Sequence, residues 1–150
     1  MLHYSVVGTN DVVKSRQFYT SVLAILGLEP IFEEERETVF APTGAGLELA
    51  QFVVKRPFDG QPARAGNGTT IGFRAASMTE VDAAHAAALA AGGECAGAPG
   101  PRDYADNIYI AYFRDLDGNK IAAAHFSGTP LSSHSMLTQA TISTVKSDQA

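Results

Sequence analysis

The chain has 150 residues, enough for one domain or two small, closely packed modules around a real hydrophobic core. Its net charge of -5, with 11 Lys and Arg scattered along the sequence, excludes the clustered basic surface that nucleic-acid phosphates require. A single cysteine excludes an internal disulfide, no apolar run approaches the ~20 residues needed to span a bilayer, and no signal-peptide pattern opens the sequence. A soluble, cytoplasmic protein with neither nucleic-acid nor membrane partners is therefore expected.

Residues 2–8 alternate as a strand, with Tyr4 and Val6 on one face and His3, Ser5 and Val7 on the other. Thr9 and Asn10 are N-cap candidates for the helix that follows, and Asp11 adds negative charge to its first turn. Phe18, Val22 and Ile25/Leu26 fall on one stripe at helical spacing, and Gly27 is placed to close the helix with a positive φ. Strands are predicted over 31–35, 38–41 and 46–54. The last, GLELAQFVV, alternates less cleanly, as a strand buried on both faces would. The Pro- and Gly-rich run 55–68 lacks periodicity and links this first module, 1–54, to a second, 69–126.

The second module opens on a strand over 69–75. Ser77 and Glu80 then form an S-x-x-E capping box at the head of an alanine-dominated helix, which Gly92 and Gly93 terminate. A short strand over 94–96 and a loop over 97–107 carrying Arg102 and Tyr104 come next. Strands over 108–114 and 120–126, joined by the turn sequence DLDGN, complete the module. The order βαβββ is thus stated twice, about 66 residues apart. It predicts an α+β fold of two modules whose curled mixed sheets enclose a cavity, with the helices outside. The tail, 127–150, is rich in Ser and Thr and is expected to dock along a partner subunit or across a sheet edge.

The runs GTNDVVKSRQFYTSVLAILG, GNGTTIGF, VDAAHAAALAAGG, APGPRDY and RDLDGNKI occur in the order and at the spacing of the vicinal oxygen chelate superfamily, which the chain resembles over residues 2–126. That superfamily holds glyoxalase I, extradiol dioxygenases and bleomycin-resistance proteins. The resemblance implies the fold and a homodimer, and it leaves open whether any reaction is catalysed. Metal-dependent members hold a divalent ion with His and Glu on the inner face of four strands. Carried over position by position, these places fall on Tyr4, Glu48, Thr70 and Ala122, of which only Glu48 is a competent ligand. One carboxylate does not grip a divalent cation, so no cofactor is expected, with a divalent metal as the alternative. His3 is one residue out of register with the first place. Strand alternation turns His3 and His125 toward the helices, unless a β-bulge near Gly8 rotates His3 inward.

On this placement Glu48 is the candidate catalytic residue: a buried general base or hydrogen-bond acceptor, or else an acid satisfied by Arg74 or Arg102. The candidate ligand-binding residues are Tyr4, Phe52, Thr70, Arg102, Tyr104 and Ala122. Tyr4 offers a phenol for bonding or stacking, or simply fills space. Phe52 would be an apolar wall on the face of Glu48. Arg102, whose fork suits a carboxylate or phosphate, shares with Tyr104 a loop expected over the cavity mouth. Tyr109 and Tyr112 alternate, so at most one of them reaches the cavity. His85 reads as a partly buried helix histidine, Cys95 as a small core hydrophobe, and Asp115 and Asp117 as turn residues. His134, in the tail, carries no legible role.

The leading expectation is a protein that encloses a small organic molecule without the family's metal, either sequestering it or acting on it through Glu48 and hydrogen bonding. The alternatives are a metal-dependent glyoxalase-like lyase or dioxygenase, and a structural or regulatory dimer with a vestigial cavity.

Overall fold

A computed structural model describes residues 2–128; the expected tail docking and His134 lie outside the described residues. The first module runs β1 (Ser5–Gly8), α1 (Val12–Leu23), β2 (Leu28–Glu33), β3 (Glu37–Pro42) and β4 (Phe52–Lys55). The second runs β5 (Ile71–Arg74), α2 (Met78–Ala90), β6 (Glu94–Arg102), β7 (Ala105–Arg114) and β8 (Lys120–Phe126). This is the twice-stated βαβββ order. Each module forms one four-stranded mixed sheet, ordered β1-β4-β3-β2 and β5-β8-β7-β6, with β1–β4 and β5–β8 parallel and the remaining pairs antiparallel. The sheets do not close on themselves. β2 and β6 form their outer edges, while the edges of β1 and β5 face the junction between modules.

Helix starts follow side-chain chemistry. Asp11, not Thr9 or Asn10, caps α1, accepting the Lys14 amide at 3.1 Å. Thr9 lies one step further out, where its Oγ1 accepts the Asp11 amide, and Asn10 is diverted to the second module. Ser77 caps α2 as expected; Glu80 reaches back to the Ala76 amide, one residue before the cap. After a 3₁₀ turn at Ala24–Leu26, Gly27 takes φ 77. The exit of α2 depends on space. A Cβ on Gly93 would lie 2.6 Å from the Arg114 carbonyl oxygen and 2.9 Å from a Phe18 ring carbon, so only glycine lets the chain turn into β6 there.

Both helices pack on one face of the sheets and touch each other. The core they cover is common to both modules. Phe18, Tyr19, Phe40 and Phe52 are fully buried, the Tyr19 and Phe52 centroids stand 4.8 Å apart, and Phe52 meets Phe73 of the second module edge-on at 5.2 Å. Aromatic pairs in this geometry contribute roughly 0.5–1.5 kcal/mol beyond their buried area. Ala84 and Ala88, also fully buried, let α2 approach closely. The two modules therefore share a single hydrophobic interior.

Three sequence expectations are corrected. The stretch 46–54 is not one strand: Leu47–Leu49 forms a 3₁₀ turn and the strand begins at Phe52. Two-residue alternation is lost there because Leu47, Glu48 and Leu49 all lie exposed on the turn. The stretch 97–107 is not a loop but the β6–β7 hairpin, in which register shifts accommodate Gly97, Pro99 and Pro101. Cys95 is exposed rather than a core hydrophobe, its Sγ lying 3.3 Å from His85 Nε2.

Candidate functional site

The face of the sheets opposite the helices is the open one, and strand register decides which side chains reach it. Val6, Val53 and Val39 are cross-strand partners, as are Gly72, Ala122 and Tyr112. Partners share a face, so this set stands opposite Val7, Phe52, Phe73, Ile121 and Phe113, which point into the core. Val6 is 46% exposed there, and Ala122, Ile108 and Ile110 form a small apolar cluster bordered by Tyr112.

Tyr112 is the centre of a polar group on this face. Its hydroxyl lies 3.2 Å from that of Tyr104, the Arg102 guanidinium carbon stands 5.7 Å from its ring centroid, and Lys120 Nζ stands 4.6 Å from it. Chiefly through the bond to Tyr104, and further through burial, the Tyr112 phenol is held above its ordinary pKa, although Arg102 opposes the shift. The Tyr112 phenol is then a neutral donor at pH 7. Space for the ring comes from β6: a Cβ on Gly97 would sit 2.9 Å from Tyr112 Cδ2. Arg102 donates to the carbonyls of Ala98, Gly100 and Pro101, so its fork fastens its own hairpin.

Two hollows lie at opposite ends of β1. One, of about 220 Å³, opens between β1 and the β5–β8 pair and is lined by Val6, Gly8, Arg64, Gly66, Thr69, Asn119 and Lys120 among others. The second, of about 350 Å³, is lined by Leu2, His3, Glu48, Leu49, Ala50 and Gln51. A broader hollow, of about 560 Å³, lies where the turn after α1 meets the end of β5 and includes Leu26, Leu28, Phe73 and Arg74.

The candidate residues are therefore divided. Arg102, Tyr104 and Ala122 gather around Tyr112. Tyr4, exposed and one residue before β1, meets His3 edge-on at 5.8 Å, and His3 shares the second hollow with Glu48. Glu48 is exposed on its 3₁₀ turn, where it accepts the Gly46 amide at 3.3 Å, so the expected buried base is corrected to a surface carboxylate. Thr70 is exposed immediately before β5. Phe52 is not a cavity wall: it is fully buried on the helix side, because its turn of origin takes up residues that a continuous strand would have counted. His125 Nδ1 lies 3.2 Å from the Ala75 carbonyl, away from the open face.

The four places carried over from the family do not fit a divalent cation. Ala122 offers no donor, Tyr4 and Thr70 offer only hydroxyls, and no group of three His, Cys, Asp or Glu side chains among the described residues could hold a metal ion. Sequence reading missed Tyr112 as the anchor and Lys120 as its neighbour. The signal was present in the DLDGN turn: a hairpin pivoting there pairs Arg114 with Lys120 and therefore Tyr112 with Ala122.

Comparison with known proteins places this geometry. The model of the Glyoxalase/Bleomycin resistance protein/Dioxygenase superfamily matches residues 1–123. A solved glyoxalase/bleomycin resistance protein from Albidiferax ferrireducens is 42% identical, with 83% of this chain and 98% of that one covered and a TM-score of 0.72. Two further structures share the fold. A glyoxalase-related enzyme from Fulvimarina pelagi is 18% identical, with 89% and 93% covered and a TM-score of 0.67. A family enzyme from Burkholderia phytofirmans is 18% identical, with 83% and 97% covered and a TM-score of 0.62. Among curated proteins, none matches.

Proposed function

Because the chain belongs to the glyoxalase/bleomycin resistance protein/dioxygenase superfamily, we propose that it binds a small organic molecule on the open face of its sheets without the divalent metal of other members. The observation that carries this reading is the cluster at Tyr112. An aromatic ring, two phenol donors and the Lys120 ammonium converge beside the apolar patch of Ala122 and Ile110. Such a mixture suits a partly aromatic, partly polar ligand: the ring and the patch take its apolar surface, and the phenols fix its orientation. The poverty of the four carried-over places supports the metal-free part of the reading. Sequestration fits these groups better than catalysis, since the neutral Tyr112 phenol donates and the carboxylate expected as base lies at the other end of β1.

The test is a thermal-shift screen of the full chain against a panel of aromatic metabolites and antibiotics, repeated with Tyr112→Ala. A ligand that binds the native state raises Tm by mass action, and the variant should lose that rise while remaining folded. Hits whose shifts survive in Tyr112→Ala would place binding elsewhere.

One observation favours a metal-dependent lyase or dioxygenase instead: His3 and Glu48 line one hollow, bringing together the two donor types such members use. Elemental analysis after purification in chelator-free buffer tests it, and one equivalent of zinc, nickel, manganese or iron per chain, lost in His3→Ala, would establish it.

A further inference from the structure

The geometry points to the 220 Å³ hollow between β1 and the β5–β8 pair as the seat of an anionic head group, a carboxylate or phosphate, on the ligand proposed above; the inference rests on that open-face reading and specifies its chemistry. Two cations, Arg64 and Lys120, line the hollow, and no carboxylate does. The ion pairs among the described residues are Lys14–Asp11, Arg16–Glu33 and Lys55–Glu37, so neither lining cation is paired. The two acids of the turn that holds Asn119 are engaged elsewhere: Asp115 accepts the Tyr19 hydroxyl and Asp117 accepts from Asn10 and Ser15. Asn119 is a wall rather than a donor, since its Nδ2 already bonds the Gly8 carbonyl and Asp115.

The hollow's shape suits a small group. A Cβ on Gly66 would lie 2.5 Å from Thr69 Oγ1, so a side chain there would have to displace that hydroxyl, and Gly8 lines the same hollow. Its volume falls below the ~300–1,000 Å³ of sites that take a whole drug-sized molecule. Lys120 joins the two regions, lining the hollow while its ammonium stands 4.6 Å from the Tyr112 centroid. A ligand with its anion between Arg64 and Lys120 would lay an aromatic or planar body over Tyr112. A second cationic hollow, with Arg36 and Arg56, is the weaker candidate because Glu34, Glu35 and Glu37 surround the same arginines.

The experiment is a two-dimensional amide NMR titration of the full chain with matched probes: benzoate, phenyl phosphate and the neutral benzamide. The acids should move the Gly8, Gly66 and Thr69 amides and bind on the order of tenfold tighter than benzamide, while Arg64→Gln and Lys120→Gln each remove most of that difference. Which of benzoate and phenyl phosphate binds more tightly identifies the head group. If acids and amide bind equally and move Tyr112 and Ala122 alone, the anion seat is wrong and open-face binding stands. If no probe moves either set of amides, both are wrong. Arg64 is an exposed loop residue, so its variant tests charge without endangering the fold.

Discussion

Tyr19 of α1 donates its buried hydroxyl to Asp115 Oδ2 at 2.6 Å, across the boundary between the two modules. The Asp115 carboxylate also orders its own turn, its Oδ1 accepting the amides of Asp117 and Asn119. Burial first, and the neighbouring charge second, push the Tyr19 phenol well above its ordinary pKa, so at neutral pH it is a donor. Asp115 Oδ2 keeps its bond from Asn119, so Tyr19→Phe should cost about 1.5–3 kcal/mol, the contribution of one hydrogen bond to a charged acceptor. Denaturant unfolding with an unchanged slope would measure it; a loss under about 0.5 kcal/mol would mean the bond is dispensable.

Asn10 and Asp117 extend the same joint, the amide and side chain of Asn10 donating at 2.9 and 2.8 Å. A double-mutant cycle with Asn10→Ala and Asp117→Ala should yield a coupling of roughly 0.5–1.5 kcal/mol. Additive losses would show that the two loops do not stabilise each other.

Gly97→Ala places a methyl against the Tyr112 ring. The ring must move, so ligand affinity at the open face should fall several-fold while the β6–β7 hairpin persists. Loss of the Tyr112 ring shifts in the NMR spectrum together with weakened binding is the expected pair. Binding at full strength would release Tyr112 from the role given to it.

Phe52→Ala and Tyr112→Ala separate core from site. The first empties a fully buried position between Tyr19 and Phe73 and should cost about 3–5 kcal/mol. The second should cost far less stability and act on binding. The reverse pattern in thermal melts would invert the assignment of the two sheet faces.

His85 supplies a pH dependence. Burial holds its imidazole below the ordinary value of 6.5, with Asp82 partly opposing. The native state thus binds its proton less readily than the unfolded chain. The stability this confers is complete above pH 6.5 and is lost as pH falls from there through the lower native value. Wild-type Tm should drop over that window more steeply than that of His85→Gln. Parallel curves would refute the contribution.

The fold was legible because its signals are local: the Ser77 cap, Gly27, Gly92-Gly93 and the alternation of β7 and β8 all sit where side-chain chemistry puts them, whereas the α1 cap falls on Asp11 rather than on Thr9 or Asn10. The site was legible in part. Arg102, Tyr104 and Ala122 were placed near one another, yet the residue that unites them, Tyr112, was left as one of two alternatives. Glu48 and Phe52 were misplaced for one cause: a 3₁₀ turn inside an apolar run shifts parity without changing composition. Asp115 and Asp117 were read correctly as turn residues, but their bonds to Tyr19 and Asn10 span about a hundred positions and no short-range pattern encodes them.

The outer edges β2 and β6 carry Pro30, Pro99 and Pro101, none of which has an amide hydrogen, and both strands are interrupted by register shifts. An incoming strand would find broken rows of donors at either margin, so templated growth by strand addition is disfavoured. Among the described residues, side chains on the broad faces of the sheets offer a more selective surface for contact than these two margins.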